Sequence, residues 1–284
     1  MSLIMGDGPV LCGIDNGVAT LTLNRPDRLN AVNADMGIAF DRLIVGLERE
    51  PTVRVIVITG SGRGFCAGAD SAQLDRLAKT PESLAARPPD AKHPVFEVLA
   101  DAPPELRTRW LSPAALSKPV IAAINGPCAG VGLALACASD IRIASDTGAF
   151  IASFARRGLV AEAGLAWLLP RLVGLGHATD MLLSARKVGA EEAYRMGLVS
   201  AVVPAGEFMA AVLDRAYDIA RNISPRSMAV IKRQIRDGLS QTLFEALRDG
   251  HGELKASLAS PDFKESVAAA REKRPAVFPA IGDG

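Results

Sequence analysis

The chain has 284 residues, with 32 basic and 31 acidic side chains and a formal net charge of +1 at pH 7. A chain of this length can bury a substantial core in one large domain. Its balanced charge provides neither a basic stripe for nucleic acid nor a polybasic membrane anchor, so we expect no nucleic-acid and no membrane partner.

The cysteines and the first residues of the chain indicate the cellular compartment of the protein. Cys12, Cys66, Cys128 and Cys137 form no Cys-x-x-Cys pair and lack the clustered histidines of a zinc site. This favours a reducing compartment and no structural metal. The opening segment MSLIMGDGPV has neither the basic region nor the long apolar region of a signal peptide, so we expect a cytoplasmic protein.

The first sixty residues are expected to alternate strands with a helix. Apolar alternation predicts a strand pair at 10–14 and 18–23 around a turn at 15–17. Asn33 is a suitable N-cap for the amphipathic helix that follows it. The apolar run at 53–58 predicts the next strand.

A glycine-rich loop follows, with the sequence TGSGRGFCAGAD at 59–70. It lacks the Gly-Lys-Ser/Thr ending and the Gly-x-Gly-x-x-Gly fingerprint of nucleotide-binding loops, which disfavours a phosphate site. We interpret it as a flexible loop that brings Ala69 and Asp70 to a helix start, where Asp70 can accept from first-turn amides. An ordinary capped turn is the alternative.

Residues 79–113 contain seven prolines and mixed charge, a composition typical of a lid or a partly disordered insertion. We expect a mobile lid here. His93 lies within it. A lone loop histidine is more often solvated than catalytic, although its ordinary pKa suits proton transfer.

The stretch at 118–140 carries no charge between its two ends. It predicts a buried strand at 120–124, a break at 125–127 and a buried helix that starts near Gly130. The break would leave backbone groups unpaired in lipid, which disfavours a membrane span. First-turn amides have no partner inside a helix, so the amide of Val131 is a candidate oxyanion site; tight packing under a sheet is the simpler explanation.

Glu162 is the only acidic residue between Asp146 and Asp180, and its neighbours are alanine and other apolar residues. Such an acid either caps a helix start or transfers protons at a raised pKa. Its spacing alone favours the cap.

The rest of the chain is mainly helical, with one strand. The pattern predicts helices at 177–183, 190–196, 207–222, 226–238 and 243–258, and a strand at 200–203. Lys273 and Arg274 near the end form a basic pair that suits either phosphates or a solvated helix end.

Several of these motifs occur together in a characteristic order. They are Asn24-Arg25-Pro26 with Leu29-Asn30-Ala31, Phe65-Cys66-Ala67-Gly68-Ala69-Asp70, residues 118–126, the glycines at 130 and 132, Leu169-Pro170-Arg171-Leu172-Val173-Gly174, residues 193–199, and Glu272-Lys273-Arg274-Pro275. Each is weak alone, but the ordered set resembles the enoyl-CoA hydratase/isomerase (crotonase) family across nearly the whole chain.

The resemblance implies an α/β fold, a crotonase-like spiral of ββα units with a C-terminal helical trimerisation region. Residues 1–205 would form the spiral core, with the lid at 79–113 inserted, and residues 206–284 the helical region. It also implies a homotrimer or dimer of trimers, and an acyl-CoA thioester as substrate. Coenzyme A then enters as part of the substrate, and no separate cofactor is expected.

The resemblance also implies which residues form the site. By position, the backbone amides of Ala69 and Val131 match the two donors that hold the thioester oxygen, although the branched Val131 replaces the usual glycine. Coenzyme A would lie near its candidate contacts, which are Arg28, Leu29, Ala67, and Lys273 from a neighbouring subunit.

The chain departs from the classical hydratases of this family, which use two glutamates. Those positions correspond to Ala134 and Phe154 here, and neither side chain can move a proton. Glu162 remains, at a position that resembles the one where several enoyl-CoA isomerases carry a single acidic base. We therefore predict Glu162 as the acid-base group and favour an isomerase-like double-bond shift.

Two alternatives stay open. One is an enoyl-CoA hydratase, or an acyl-CoA hydrolase or dehydratase, that takes its second group from the lid, with His93 and Glu97 as candidates. The other is a scaffold that binds acyl-CoA without catalysis, since a fold does not guarantee a function.

Overall fold

A computed structural model describes residues 3–5, 8–80, 98–99 and 102–280. Within these ranges, strands and helices alternate through the first two hundred residues, and helices follow. The strands are β1 Leu3–Met5, β2 Val10–Asp15, β3 Val18–Leu23, β4 Val55–Gly60, β5 Val120–Ile124, β6 Pro127–Ala129, β7 Ile141–Ser145, β8 Ala149–Ile151, β9 Lys187–Gly189 and β10 Ala201–Val203.

The helices connect these strands and then form a C-terminal layer. They are α1 Ala34–Arg49, α2 Ser71–Lys79, α3 Ser112–Ala115, α4 Val131–Ala138, α5 Leu165–Ser184, α6 Ala190–Arg195, α7 Phe208–Asn222, α8 Pro225–Gly238, α9 Leu243–Ala259 and α10 Pro261–Glu272. Short 3₁₀ turns occupy Pro26–Arg28, Pro104–Leu106 and Ala155–Arg157.

Two sheets organise the core. The larger has the strand order β1-β2-β3-β4-β5-β7-β10, antiparallel among β1, β2 and β3 and parallel from β3 to β10. The smaller has the order β6-β8-β9. The main core fills the face of the large sheet that α1 and α4 cover, while α7 covers the other face with Phe208 and Val212. A largely parallel sheet is expected to be covered on both faces.

The predicted strand, break and helix at 118–140 are confirmed as β5, β6 and α4. Every residue of α4 is buried, which explains why this helix tolerates no charge. Among the described residues, no helix combines the length and apolarity that a bilayer crossing requires.

The far end of the proline-rich segment packs on the core. Leu111 is buried, and Trp110 lies 6.0 Å from the ring of Phe40 in α1. The guanidinium of Arg109 forms an ion pair with buried Asp41, also in α1. Residues 81–97 and 100–101 lie outside the described part of the chain, so the predicted lid at 79–113 stays a prediction, as does the domain division at 205.

One buried lysine ties α8 to the strands below it. The ammonium of Lys232 donates to the carbonyls of Pro113 and Lys118, at 2.7 and 2.9 Å, and to a carboxylate oxygen of Asp140 at 2.7 Å. The same Asp140 oxygen accepts from the amide of Val120 at the start of β5, at 2.7 Å. All three ammonium protons are therefore paired, which is what a buried lysine requires.

We predict that Lys232→Met destabilises the fold by roughly 3 kcal/mol, because it removes the cation that pairs with Asp140 and the donor to two carbonyls. The matched control is Lys187→Met, the same change at an exposed position, expected to stay within about 0.5 kcal/mol of the wild type. Urea unfolding at fixed protein concentration measures both. Equal stability of the two variants would contradict the anchoring role of Lys232.

Candidate active site

The glycine-rich loop runs alongside β6 and the turn that opens α4. Cys66 pairs with Cys128 in an isolated parallel bridge, and the amide of Ala129 donates to the carbonyl of Cys66 at 2.8 Å. Further along, a Cβ on Gly68 would lie 3.7 Å from the Cα of Gly130, and Ala69 and Val131 are the residues that follow these two glycines. The structure therefore brings the two predicted amide donors to neighbouring turns.

Glycines allow this approach. A Cβ on Gly132 would lie 2.5 Å from the carbonyl oxygen of Cys66, and one on Gly68 would lie 3.1 Å from the carbonyl oxygen of Ala129. Gly68 and Gly130 also have positive φ values of 96° and 54°, a backbone conformation that favours glycine. The distance between the loops is thus set by residues without side chains.

Both predicted amides lack an acceptor among the described residues. Ala69 forms a parallel bridge with Val32, in which Val32 bonds to the carbonyl of Gly68 and the amide of Asp70. In such a bridge the amide of the middle residue, Ala69, points away from the partner strand. Val131 is the first residue of α4, where an amide has no partner within the helix. Their role as thioester donors stays a prediction.

Two asparagine side chains hold the glycine-rich loop from opposite sides. Buried Asn30 donates to the carbonyls of Ser61 and Gly64 at 3.0 and 2.7 Å. Asn125 donates to the carbonyls of Gly60 and Gly62 at 2.8 and 3.0 Å. Both asparagines belong to the sequence motifs, but no local pattern predicts these contacts, because they join residues 31 to 65 positions apart in the chain.

Asp70 caps α2 as predicted, accepting from the amide of Ala72 at 2.9 Å. Its other oxygen forms an ion pair with Arg25 at 2.8 Å. The Ala72 amide, followed by Arg25, lowers the pKa of Asp70. Asp70, which follows Ala69, is therefore held in place by its role as a helix cap and by an ion pair.

The two positions of the classical glutamates are buried and apolar. Ala134 is fully buried in α4, and Phe154 is 5% exposed within the main core. Phe150 is also fully buried, whereas Trp167 is partly exposed and stacks against Arg171 at 3.9 Å. No proton-transfer group stands at either classical position.

Glu162 does not cap a helix. Helix α5 begins at Leu165 without any side-chain cap, and the Glu162 carboxylate has no hydrogen-bond or ion-pair partner among the described residues. Its turn is held by two consecutive left-handed residues, Ala163 (φ 51°) and Gly164 (φ 69°). A left-handed alanine costs about 1–2 kcal/mol, and such strain recurs at functional turns.

The environment of Glu162 combines solvent access with partial enclosure. The residue is exposed in the single chain and Val160 beside it is 80% exposed, yet burial raises the pKa of the Glu162 carboxyl. A Cβ on Gly164 would lie 3.1 Å from the side chain of Leu111. The turn therefore packs on the N-cap residue of α3. Glu162 is therefore not enclosed by apolar residues in the single chain. Helix α5 packs on α4. The turn at Glu162, which precedes α5, and the turn at Val131, which opens α4, therefore belong to neighbouring helices.

The predicted coenzyme A contacts are only partly brought together. The amide of Ala67 donates to the carbonyl of Leu29 at 2.9 Å, and exposed Arg28 precedes Leu29. Lys273 ends α10 in the C-terminal layer. His93 and Glu97 lie outside the described residues.

The buried cysteines under the loops are poor nucleophiles. Burial raises the pKa of the Cys66 thiol to about 11 and that of Cys137 to about 12. A thiol is reactive as its thiolate, so these groups stay protonated at neutral pH. Within the described residues, no cluster of three metal-ligating side chains occurs.

Comparisons with known proteins agree on one family. The model for enoyl-CoA hydratase/isomerase matches residues 13–280. The chain is 39% identical over 267 residues to a Mycobacterium tuberculosis protein named probable enoyl-CoA hydratase, covering 92% of this chain and 89% of that protein. It is 33% identical over 274 residues to the 1,2-epoxyphenylacetyl-CoA isomerase of Escherichia coli, covering 95% and 97%.

A solved structure has the same fold. The enoyl-CoA hydratase from Polaromonas sp. JS666 matches with a TM-score of 0.83 at 28% identity, covering 95% of this chain and 100% of that chain. The predicted family resemblance and the predicted crotonase-like α/β fold are thereby confirmed. The trimerisation role of the C-terminal helices stays a prediction.

We predict that Asp70→Ala destabilises the protein by about 1 kcal/mol at pH 7, the usual cost of losing an N-cap. Because the pKa of Asp70 is lowered in the fold, its contribution is present above the ordinary value of about 3.9 and is lost as the pH falls further. Urea unfolding at pH 7 and pH 3 measures this. Asp75→Ala, at an exposed site of α2, is the control; a pH-independent difference for Asp70→Ala would contradict the assignment.

Proposed function

Since the chain belongs to the enoyl-CoA hydratase/isomerase family, we propose that it acts on an acyl-CoA thioester through an enolate, with Glu162 as its single acid-base group. The observation that carries this proposal is the occurrence together of two amides without an acceptor in the described part of the chain and an acid that caps no helix. The buried apolar residues at positions 134 and 154 remove the two-carboxylate alternative.

The amides of Ala69 and Val131 polarise the thioester carbonyl in this mechanism. Donors that are already oriented cost no reorganisation when negative charge develops on the oxygen. Removing one such donor typically costs about 2.7–4 kcal/mol of transition-state stabilisation. The glycines that fix the loop spacing therefore contribute to catalysis without touching substrate.

Glu162 moves the proton. Its carboxylate takes a proton from the α-carbon of a 3-enoyl thioester, and the C–H electron pair moves into the carbonyl to give a dienolate. The same carboxyl returns the proton to the γ-carbon, and the double bond moves from the β,γ to the α,β position. A raised pKa makes Glu162 a stronger base, which suits this step. A relative that is itself named an isomerase supports this class of chemistry.

Coenzyme A is proposed to lie along Arg28, Leu29 and Ala67, next to the loop that carries the Ala69 amide. Lys273 is proposed to reach its phosphates from a neighbouring subunit. Coenzyme A is part of the substrate, and the proton transfer uses only groups of the protein.

A hydratase is the second candidate, because a relative at 39% identity is named probable enoyl-CoA hydratase. It requires a second polar group from the lid, where His93 and Glu97 are the candidates. Hydration of crotonyl-CoA that is abolished by His93→Ala or Glu97→Gln would favour it. Tight thioester binding without α-proton exchange would instead favour a non-catalytic scaffold.

We predict that Glu162→Gln lowers 3-enoyl-CoA isomerisation by about 10²–10⁴, the usual contribution of a positioned acid-base group. The measurement is the conversion of 3-enoyl-CoA to 2-enoyl-CoA, together with exchange of the α-proton in D₂O. Glu191→Gln, at an exposed site of α6, is the matched control and should keep wild-type activity.

The pH profile is a second readout for Glu162. The carboxylate is the active form, so kcat/KM should fall as the pH drops through the raised pKa, above the ordinary glutamate value of about 4.3. Unchanged turnover in Glu162→Gln would remove Glu162 from the mechanism.

The assembly proposal is a homotrimer or dimer of trimers built on α9. No residue of this helix is buried in the single chain, and its leucines at 243, 247, 254 and 258 are 50–77% exposed on one face. Such a stripe is typical of a helix that packs against another surface.

We predict that Leu247→Glu with Leu254→Glu converts the assembly to a monomer, because the change places charges in the apolar contact. Size-exclusion chromatography with light scattering measures the mass. The control is Ala256→Glu, which adds a charge on the opposite side of α9. A wild-type protein that is already monomeric would contradict the assembly proposal.

A further inference from the structure

Ser153 follows strand β8, two residues after its last residue, Ile151, and lies beside the turn that carries a candidate oxyanion donor. Strands β6 and β8 pair in parallel with Ala129 opposite Ile151, and the amide of Gly130 donates to the carbonyl of Ile151 at 3.2 Å. These contacts bring the residues that follow Ile151 to the turn that opens α4. The glycine-rich loop, β6 and β8 therefore run side by side.

The hydroxyl of Ser153 lies where the two amide-bearing turns meet. A Cβ built on Gly130 would be 3.6 Å from the Ser153 Oγ and 3.6 Å from the Cα of Gly68. Gly130 immediately precedes Val131, and Gly68 immediately precedes Ala69. The position that a Gly130 Cβ would occupy is therefore next to the Ser153 hydroxyl and to both turns.

The hydroxyl is available for a ligand. Ser153 is half-buried, and its side chain makes no hydrogen bond to any residue that the structure describes. Polar groups at such depth usually have a partner. Its neighbours Ala152 and Phe154 are buried and apolar. Ser153 is therefore the one polar side chain of these three residues.

Resting on the proposed function, we propose that the Ser153 hydroxyl donates a third hydrogen bond to the thioester oxygen as the enolate forms. The enolate oxygen carries more negative charge than the ground-state carbonyl, so an added donor stabilises the transition state more than the substrate. A serine hydroxyl rotates freely and can turn towards the oxygen while the two fixed amides hold it. The substrate oxygen then has donors from three adjacent segments.

The first test is kinetic and uses 3-enoyl-CoA. Ser153→Ala should lower kcat about 10-fold, less than the 10²–10³ seen for a fully enclosed oxyanion donor, because Ser153 is half-buried. KM should change less than kcat. Ser153→Thr keeps the hydroxyl and should recover most of the loss. Ser139→Ala, which removes a buried serine that bonds within its own helix, should leave activity unchanged.

The second test does not need turnover and uses 4-dimethylaminocinnamoyl-CoA, a thioester whose absorption moves to the red when its carbonyl is polarised. In the Glu162→Gln background, the bound probe should show a red shift that Ser153→Ala reduces and Ser139→Ala does not. This shift isolates the carbonyl contact from proton transfer, so it supports Ser153 even if Glu162 proves not to be the base.

The outcomes separate the two proposals. An equal red shift with and without the Ser153 hydroxyl overturns the third donor while leaving the amide site intact. A probe that binds without any red shift overturns the oxyanion site, and the Ser153 proposal with it. Loss of activity in both Ser153→Ala and Ser153→Thr, with the red shift unchanged, shows a packing role and overturns the proposal.

Discussion

The close approach of two backbone loops is the constraint on which the rest of the structure depends. The loop ending at Ala69 and the turn opening α4 contact each other through Gly68, Gly130 and Gly132, where a Cβ would meet backbone or side-chain atoms of the other loop at 2.5–3.6 Å. Amide direction is a property of the backbone, so a site built from amides needs the loops themselves to be placed accurately. A single added methyl group at Gly132 would push α4 away from Cys66.

Long-range polar contacts hold these loops in place. Asn30 and Asn125 bind the glycine-rich loop from two sides, and Asp70 is fixed by Arg25 and by its own helix cap. Further from the site, Lys232 joins the C-terminal layer to the strand that feeds α4. Each contact satisfies a buried or half-buried polar group, so removing one partner costs more than the bond itself contributes.

The setting of Glu162 supports its proposed role as the acid-base group. The residue stands on a strained turn and has its pKa raised by burial, and its carboxylate has no partner among the residues that the structure describes. Its apolar neighbour Val160 is exposed to solvent in the single chain. Burial of this face by a bound group would raise the pKa of Glu162 further, because desolvation disfavours the charged carboxylate.

The sequence by itself determined the elements and the family. Strand β5, helix α4 and the caps at Asn33 and Asp70 follow from short-range patterns, because periodic burial and capping act over a few residues. Only the tertiary structure decided that Glu162 caps no helix, that Ser153 lies beside the turn at Gly130, and that Lys232 binds carbonyls 114 and 119 residues away. Such contacts depend on how strands pair and how helices pack. Local sequence spacing does not predict them, because the partners are far apart in the chain.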